Sequence, residues 1–148
     1  MVLLQIAEPG EPQENTATRQ NALGIDLGTT NSLVAHYDGE VLRVLEGDGS
    51  EDAQHSPASL PSVVYYGAQH TAVGHAALAY ASEEPGNTIA SAKRLLGRSR
   101  EEFENDPYVT LASGPGLAFA TDGGDKTPVE VSAAILAALR ERAEAQLP

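Results

Sequence analysis

The 148-residue sequence contains no cysteine, which excludes disulfide bonds and thiolate ligands to zinc or to iron–sulfur clusters. Basic residues are scarce, since 9 Lys and Arg stand against 21 Asp and Glu, and the net charge is -12. Because nucleic acids and anionic membranes are bound largely through cationic side chains, we expect neither as a partner. No apolar run approaches the roughly 20 residues that span a bilayer, and the first residues lack the basic start of a secretory signal. These absences together favour a cytoplasmic protein.

Two common nucleotide-binding motifs are also missing. The sequence has no Gly-Lys dipeptide and so no Walker A loop, and it has no G-x-G-x-x-G fingerprint. Hydrophobic residues nevertheless make up 41 % of the chain and charged residues 20 %, which is typical of a globular domain. The four histidines and the acidic stretch 46–52 lack the spacing of a metal site. Any phosphate or nucleotide site must therefore be of another type.

The first half of the chain predicts short strands after a flexible leader. Residues 8–20 are polar and contain two prolines, so we expect order to begin near Asn21. Residues 22–27 are typical of a short buried strand, and Asp38-Gly39 indicates a hairpin with a two-residue type I′ turn. Further strands are expected at 33–37, 41–46 and 60–66, and a helical patch at 75–82.

The second half predicts two helices. One is expected from Thr88 to Leu96, and the other from Ala133 to Leu147 with Ser132 as its N-cap. Arg140 and Glu144 would form an i,i+4 pair on the exposed face of the second helix. Short strands are expected at 108–112, 117–121 and 128–131, with a turn at 123–124.

The most informative segment lies where the first strand ends. Asp26 is followed by Gly28, whose missing side chain permits close approach of the backbone to a ligand. Successive N–H groups from Gly28 to Asn31 can form a concavity for an anion, and Thr29 and Thr30 add hydroxyl donors. Asp26 is a suitable ligand for Mg²⁺. The same D-x-G-T pattern is equally typical of a hairpin that binds nothing.

Five segments carry a resemblance to a known family. They occur in the order and approximate spacing of the seventy-kilodalton heat-shock chaperones, the DnaK family: GIDLGTTNSLVA (24–35), LPSVVYY (60–66), VGHAA (73–77), NTIASAKRLLGR (87–98) and VEVSAAILAALRERAE (129–144). The leader at residues 3–10 further resembles the HscA branch, which serves iron–sulfur cluster assembly. Loop 48–58 departs from the family in being slightly longer and acidic.

The resemblance implies an α/β fold, the actin-like, ribonuclease-H-like ATPase lobe, incomplete here and with a small α+β subdomain inserted. Residues 1–21 would be a leader, and 22–148 the N-terminal part of the ATPase domain. Within that part, 22–46 would form the first sheet strands, about 47–126 the outer subdomain, and 127–148 a returning strand and helix. Family members are several times longer, so we expect an N-terminal fragment of the nucleotide-binding domain.

The resemblance also implies roles for individual residues. Asp26 would belong to the magnesium shell, and the cofactors would be ATP or ADP with Mg²⁺. Lys93 would be the catalytic lysine near the γ-phosphate, although a lone lysine is more often an exposed surface residue. The phosphate loop would comprise Gly28, Thr29, Thr30 and Asn31.

The function implied is an ATP-dependent chaperone in iron–sulfur cluster assembly, in which ATP hydrolysis switches client affinity. An iron–sulfur scaffold protein would be the client, and a J-domain cochaperone would stimulate hydrolysis. We expect this chain alone to be catalytically incompetent. The alternatives are a general DnaK-type folding chaperone, a sugar or metabolite kinase of the same fold, and a fragment without catalysis of its own.

Overall fold

A computed structural model describes residues 21–47, 56–106 and 109–147. The leader 1–20, residues 48–55 of the acidic loop with His55, and part of the strand expected at 108–112 lie outside the described residues. The strands are β1 Ala22–Asp26, β2 Asn31–Tyr37, β3 Leu42–Val44, β4 Leu60–Pro61, β5 Val63–Tyr66, β6 Thr71–Val73 and β7 Thr88–Ala90. The helices are α1 His75–Leu78 and α2 Pro128–Gln146, with 3₁₀ turns at Pro85–Asn87, Ala92–Leu95 and Arg100–Glu102.

The first sheet has β2 at its centre. β1 and β3 flank β2 in antiparallel fashion, and β4 pairs with the start of β2. The predicted hairpin forms, but its turn spans four residues and only Gly39 has a positive φ. The Asp38 carboxylate accepts hydrogen bonds from the N–H groups of Glu40 and Val41. These bonds lower the pKa of Asp38 and stabilise this wider turn in place of type I′.

β1 forms where it was expected, but the expectation that it is buried is wrong. Every residue from Ala22 to Asp26 is exposed. β1 lies at an edge of the sheet, and α2 packs on the central strand β2 instead. An apolar run favours an extended backbone, whereas its burial depends on which elements cover it.

The second sheet has the order β6-β5-β7 and is antiparallel throughout. Its outer strand β7 replaces the first part of the helix expected at 88–96. Ile89 of β7 lies opposite Val64 of the buried strand β5, so the sheet supplies hydrogen-bond partners that a helix would otherwise provide. Ser91 then adopts a left-handed conformation with φ 57°, and a 3₁₀ turn follows.

Helix α2 begins earlier than expected, so the strand expected at 128–131 is wrong. Thr127 is the N-cap, Pro128 occupies the first turn, and Glu130 completes a capping box. Ser132 lies inside the helix, where its hydroxyl donates to the Pro128 carbonyl at 2.8 Å. The expected Arg140–Glu144 pair is confirmed, at 3.5 Å.

Helix α2 and both sheets share one apolar core. Phe119 belongs to this core. Its segment does not form the two strands expected at 108–112 and 117–121 in the described residues, and Phe119 instead makes isolated β-bridges to Leu111 and Lys126. The expected turn at 123–124 is present, since the Gly124 N–H donates to the Thr121 carbonyl. Residues 21–47, 56–106 and 109–147 thus form a mixed α/β structure with two antiparallel sheets. The buried side chains of this core include Val34, Val64, Ile89, Phe119, Ile135 and Leu139.

Candidate functional site

The loop between β1 and β2 requires glycine at position 28. A Cβ atom built on Gly28 would collide with the backbone carbonyl oxygen of Asn31. Glycine is required because the backbone at Gly28 lies close to the backbone of Asn31, which leaves no room for a side chain on the inner side of the turn. The narrow turn predicted from Gly28 is present.

Two buried serines hold this turn. The Gly28 N–H donates to Ser32 Oγ at 3.2 Å, and Ser62 Oγ donates to the Gly28 carbonyl at 2.9 Å. The two hydroxyls lie 2.8 Å apart, and each serine is 2 % exposed. Sequence reasoning did not single out either serine, because their partners lie up to 34 positions away and no local pattern marks them.

The donors left for a ligand come from Thr29 and Thr30. Within the described part of the chain, neither their backbone N–H groups nor their hydroxyls make a hydrogen bond. Thr30 is exposed and Thr29 is half-buried. The Gly28 N–H, which the sequence offered as a further donor, is already engaged by Ser32. The loop therefore offers fewer free N–H donors to an anion than the sequence predicts.

Asp26 stands at the end of β1, directly before this loop. It is exposed and lies opposite Leu33 in the β1–β2 ladder. A carboxylate next to unpaired N–H and hydroxyl donors suits a magnesium-bound phosphate, because Mg²⁺ prefers oxygen ligands and is commonly shared with substrate phosphates. The residues present therefore fit such a group: Asp26, Gly28, Thr29, Thr30 and Asn31 are brought together by one hairpin.

Lys93 is placed separately from that hairpin. It lies exposed on the 3₁₀ turn Ala92–Leu95, whose Ala92 and Leu95 side chains are buried in the core. Across residues 21–47, 56–106 and 109–147, the Lys93 side chain makes no ion pair and no hydrogen bond to the loop. The structure does not itself bring Lys93 onto the loop, and its catalytic role stays a prediction.

Two of the basic residues that follow Lys93 have structural partners. Arg98 pairs with Glu102 at 2.7 Å, while Arg100 donates to the carbonyls of Ala112 and Gly116. The Glu102 carboxylate also accepts from the Ser99 N–H, and these bonds lower its pKa. The Arg98 and Arg100 side chains are therefore already engaged within the chain.

One family model matches most of the chain. The family model described as Hsp70 protein matches residues 22–148. The chain belongs to the Hsp70 family. This match confirms the resemblance to the seventy-kilodalton heat-shock chaperones. Hsp70 proteins are chaperones that bind ATP with Mg²⁺ and hydrolyse it.

Individual Hsp70 relatives share almost half of their aligned residues with this chain. A "Chaperone protein HscA homolog" of Actinobacillus pleuropneumoniae is 47 % identical over 154 residues, covering 99 % of the chain and 24 % of the relative. Homologs of the same name from Vibrio cholerae and Janthinobacterium are each 46 % identical, covering 99 % and 97 % of the chain and 24 % and 23 % of the relative. The chain therefore spans about a quarter of the length of these relatives.

The described residues contain neither a membrane-spanning helix nor a cluster of metal-binding side chains. No described helix is both long and apolar enough to cross a membrane. No three His, Asp or Glu residues in the described ranges cluster as a metal site. A magnesium ion at the loop would accordingly take most of its ligands from phosphate, water or other parts of a longer protein.

Proposed function

We propose that residues 22–148 form the first part of an Hsp70 nucleotide-binding domain with the actin-like fold. In this proposal ATP hydrolysis switches the affinity of the full-length chaperone for its client. The unpaired N–H groups of Thr29 and Thr30, held beside Asp26 on a turn that only glycine can close, carry this proposal. The sheet β1–β3 would belong to the central lobe, residues 47–126 to the outer subdomain, and α2 would return to the sheet.

Each site residue receives a distinct role. Thr29 and Thr30 would bind phosphate oxygens through their N–H groups and hydroxyls, and Asn31 would complete the loop. Asp26 would hold Mg²⁺, which when bound neutralises charge on the phosphates. Lys93 would place a positive charge near the transferred phosphate, where developing charge is stabilised by positioned donors.

The HscA likeness suggests the client. We propose an iron–sulfur scaffold protein as client and a J-domain cochaperone as the partner that stimulates hydrolysis, in the cytoplasm. The excess of acidic residues argues against nucleic acid as a partner. A general DnaK-type folding chaperone is the second candidate, because the loop and the Lys93 segment are common to both branches.

Two glycines on one hairpin offer a matched test of the phosphate loop. A Cβ at Gly28 meets the Asn31 backbone, whereas a Cβ at Gly24 meets no atom within 4 Å. In the full-length protein we expect Gly28→Ala to lower MgATP turnover about 10²-fold, because a displaced loop misaligns the phosphates. Gly24→Ala should stay within about twofold of wild type.

Calorimetric titration with MgATP, single-turnover hydrolysis and melting curves measure these effects. Wild-type protein that neither binds nor hydrolyses MgATP would overturn the proposal. Equal turnover in the two glycine variants would show that the loop does not contact phosphate. To separate the two chaperone branches, hydrolysis is measured with an iron–sulfur scaffold and with an unfolded model polypeptide, each beside a J-domain protein. Stimulation by the polypeptide alone would contradict the iron–sulfur assignment.

A further inference from the structure

The hydroxyls of Ser32 and Ser62 close a ring of hydrogen bonds around the Gly28 residue. Ser62 uses its only hydroxyl proton to donate to the Gly28 carbonyl. It must therefore accept at the 2.8 Å contact between the two hydroxyls, so Ser32 donates to Ser62. Ser32 in turn accepts from the Gly28 N–H. The ring runs from Gly28 N–H through Ser32 and Ser62 back to the Gly28 carbonyl, and every proton in it has one acceptor.

Ser62 also reaches the far end of the loop. Its backbone N–H donates to the Thr30 carbonyl at 2.8 Å, while its side chain holds Gly28. Ser62 lies between β4 of the first sheet and β5 of the second. Its hydrogen bonds therefore connect this junction to the loop between β1 and β2. Ser62 thus contacts both ends of the segment Gly28–Thr30, in which Thr29 and Thr30 carry the unpaired N–H groups.

We propose that Ser62 is a positioning residue for the phosphate loop, acting with Ser32 to fix the direction of the Thr29 and Thr30 N–H groups. The inference rests on the proposed function, because the loop must bind phosphate for its orientation to matter. The ring leaves Gly28 one arrangement in which both its N–H and its carbonyl are satisfied. Preorganised donors stabilise a transition state because they need not reorient when charge shifts.

Removal of either hydroxyl leaves buried polar groups without partners. In Ser62→Ala the Gly28 carbonyl and the Ser32 hydroxyl both lose theirs, and in Ser32→Ala the Gly28 N–H does. The loop can then relieve the loss by rotating the peptides on either side of Gly28. Such rotation redirects the neighbouring Thr29 N–H, so hydrolysis should suffer more than the overall fold.

The test compares four full-length proteins: wild type, Ser62→Ala, Ser32→Ala and the control Ser132→Ala. Ser132 is also buried, and its hydroxyl also donates to a backbone carbonyl, but that carbonyl belongs to Pro128 in α2. We expect Ser62→Ala and Ser32→Ala each to slow single-turnover MgATP hydrolysis about tenfold, the size of one well-placed hydrogen bond. Hydrogen exchange in the peptide covering residues 27–33 should accelerate in both variants.

Ser132→Ala should change neither the exchange of that peptide nor the hydrolysis rate by more than about twofold. Ser62→Thr, which keeps the hydroxyl, should restore most of the rate. If the added methyl group does not fit and lowers the melting temperature of Ser62→Thr, the hydrolysis and exchange rates of Ser32→Ala decide the question. The inference is overturned if Ser32→Ala and Ser62→Ala have the same hydrolysis and exchange rates as Ser132→Ala. The proposed function would remain intact in that case. Wild type that does not bind MgATP would instead overturn the proposed function.

Discussion

Lys93 and Arg94 are neighbouring cations on one 3₁₀ turn, and both are exposed. Because both side chains are exposed, each charge is accessible to a ligand, but packing does not fix the position of either. The Hsp70 match suggests the phosphates as partner for Lys93, whereas nothing in the loop geometry favours Arg94. At the scale of single residues, the proposed role of Lys93 therefore predicts different effects when each of the two cations is removed.

Substitution of each cation in turn separates their roles. In the full-length protein, Lys93→Ala should retain MgATP binding and lose hydrolysis by about 10²–10³, because one positioned electrostatic group acts mainly on the transition state. Arg94→Ala, from the same turn, should stay close to wild type. Single-turnover hydrolysis and calorimetric affinity are measured for both. Hydrolysis in Lys93→Ala within a few-fold of wild type would refute the assignment.

Among the elements, helix α2 has a complete capping box at its N-terminus. At its beginning the Thr127 N–H and hydroxyl both donate to the Glu130 carboxylate at 2.8 Å, and the Glu130 N–H donates back to the Thr127 hydroxyl at 3.2 Å. The bonds from Thr127 lower the pKa of Glu130, with a smaller contribution from Lys126. The cap is therefore tied to an ionised carboxylate.

This cap gives a pH prediction. Because the folded pKa of Glu130 is depressed, its contribution to stability is complete above the unfolded pKa and is lost as pH falls through the folded pKa. Glu130→Gln should lower the urea midpoint at neutral pH and flatten its decline between about pH 5 and pH 3. Glu144→Gln, a change at an exposed surface pair, is the control. Parallel midpoint-against-pH curves for wild type and Glu130→Gln would contradict the prediction.

Across the molecule, in the described part of the chain, α2 covers one face of the central strand β2, whereas the opposite face of β2 and β3 is uncovered. Val34 lies on the face that α2 covers and is fully buried. The pairs Ala35–Val44 and Tyr37–Leu42 lie on the opposite face, where Tyr37, Leu42 and Val44 are exposed. Contiguous exposed apolar side chains of this kind are typical of a surface that meets another part of a protein.

The uncovered face predicts dye binding by the 148-residue chain. Leu42 and Val129 are almost equally exposed, at 68 % and 66 %, but only Leu42 has exposed apolar neighbours across the strand. Leu42→Lys should therefore lower the fluorescence of the hydrophobic dye ANS more than Val129→Lys does. The two titrations are compared at equal protein concentration and after melting curves confirm folding. An equal loss of fluorescence in both variants would show that the dye does not bind this face.

Much of this protein follows from its amino-acid sequence. The β-branched and apolar runs produce β1, β2 and β5, and Asp38-Gly39 produces the hairpin, because these preferences act within a few residues. The glycine turn was predicted from the segment from Asp26 to Asn31, and the family membership from five segments that occur in the order of the DnaK family. The roles of the site residues remain predictions that the variants above test.

Tertiary structure decided the rest, because distant parts of the chain supplied the partners. Thr88–Ala90 became a strand since the buried β5 offered a free edge, and β1 stayed exposed since α2 packs on β2. The same holds at the site, where Ser62 reaches Gly28 from 34 positions away. A hydrogen bond between residues so far apart in sequence has no local signature, so only the folded chain reveals which serine completes the loop.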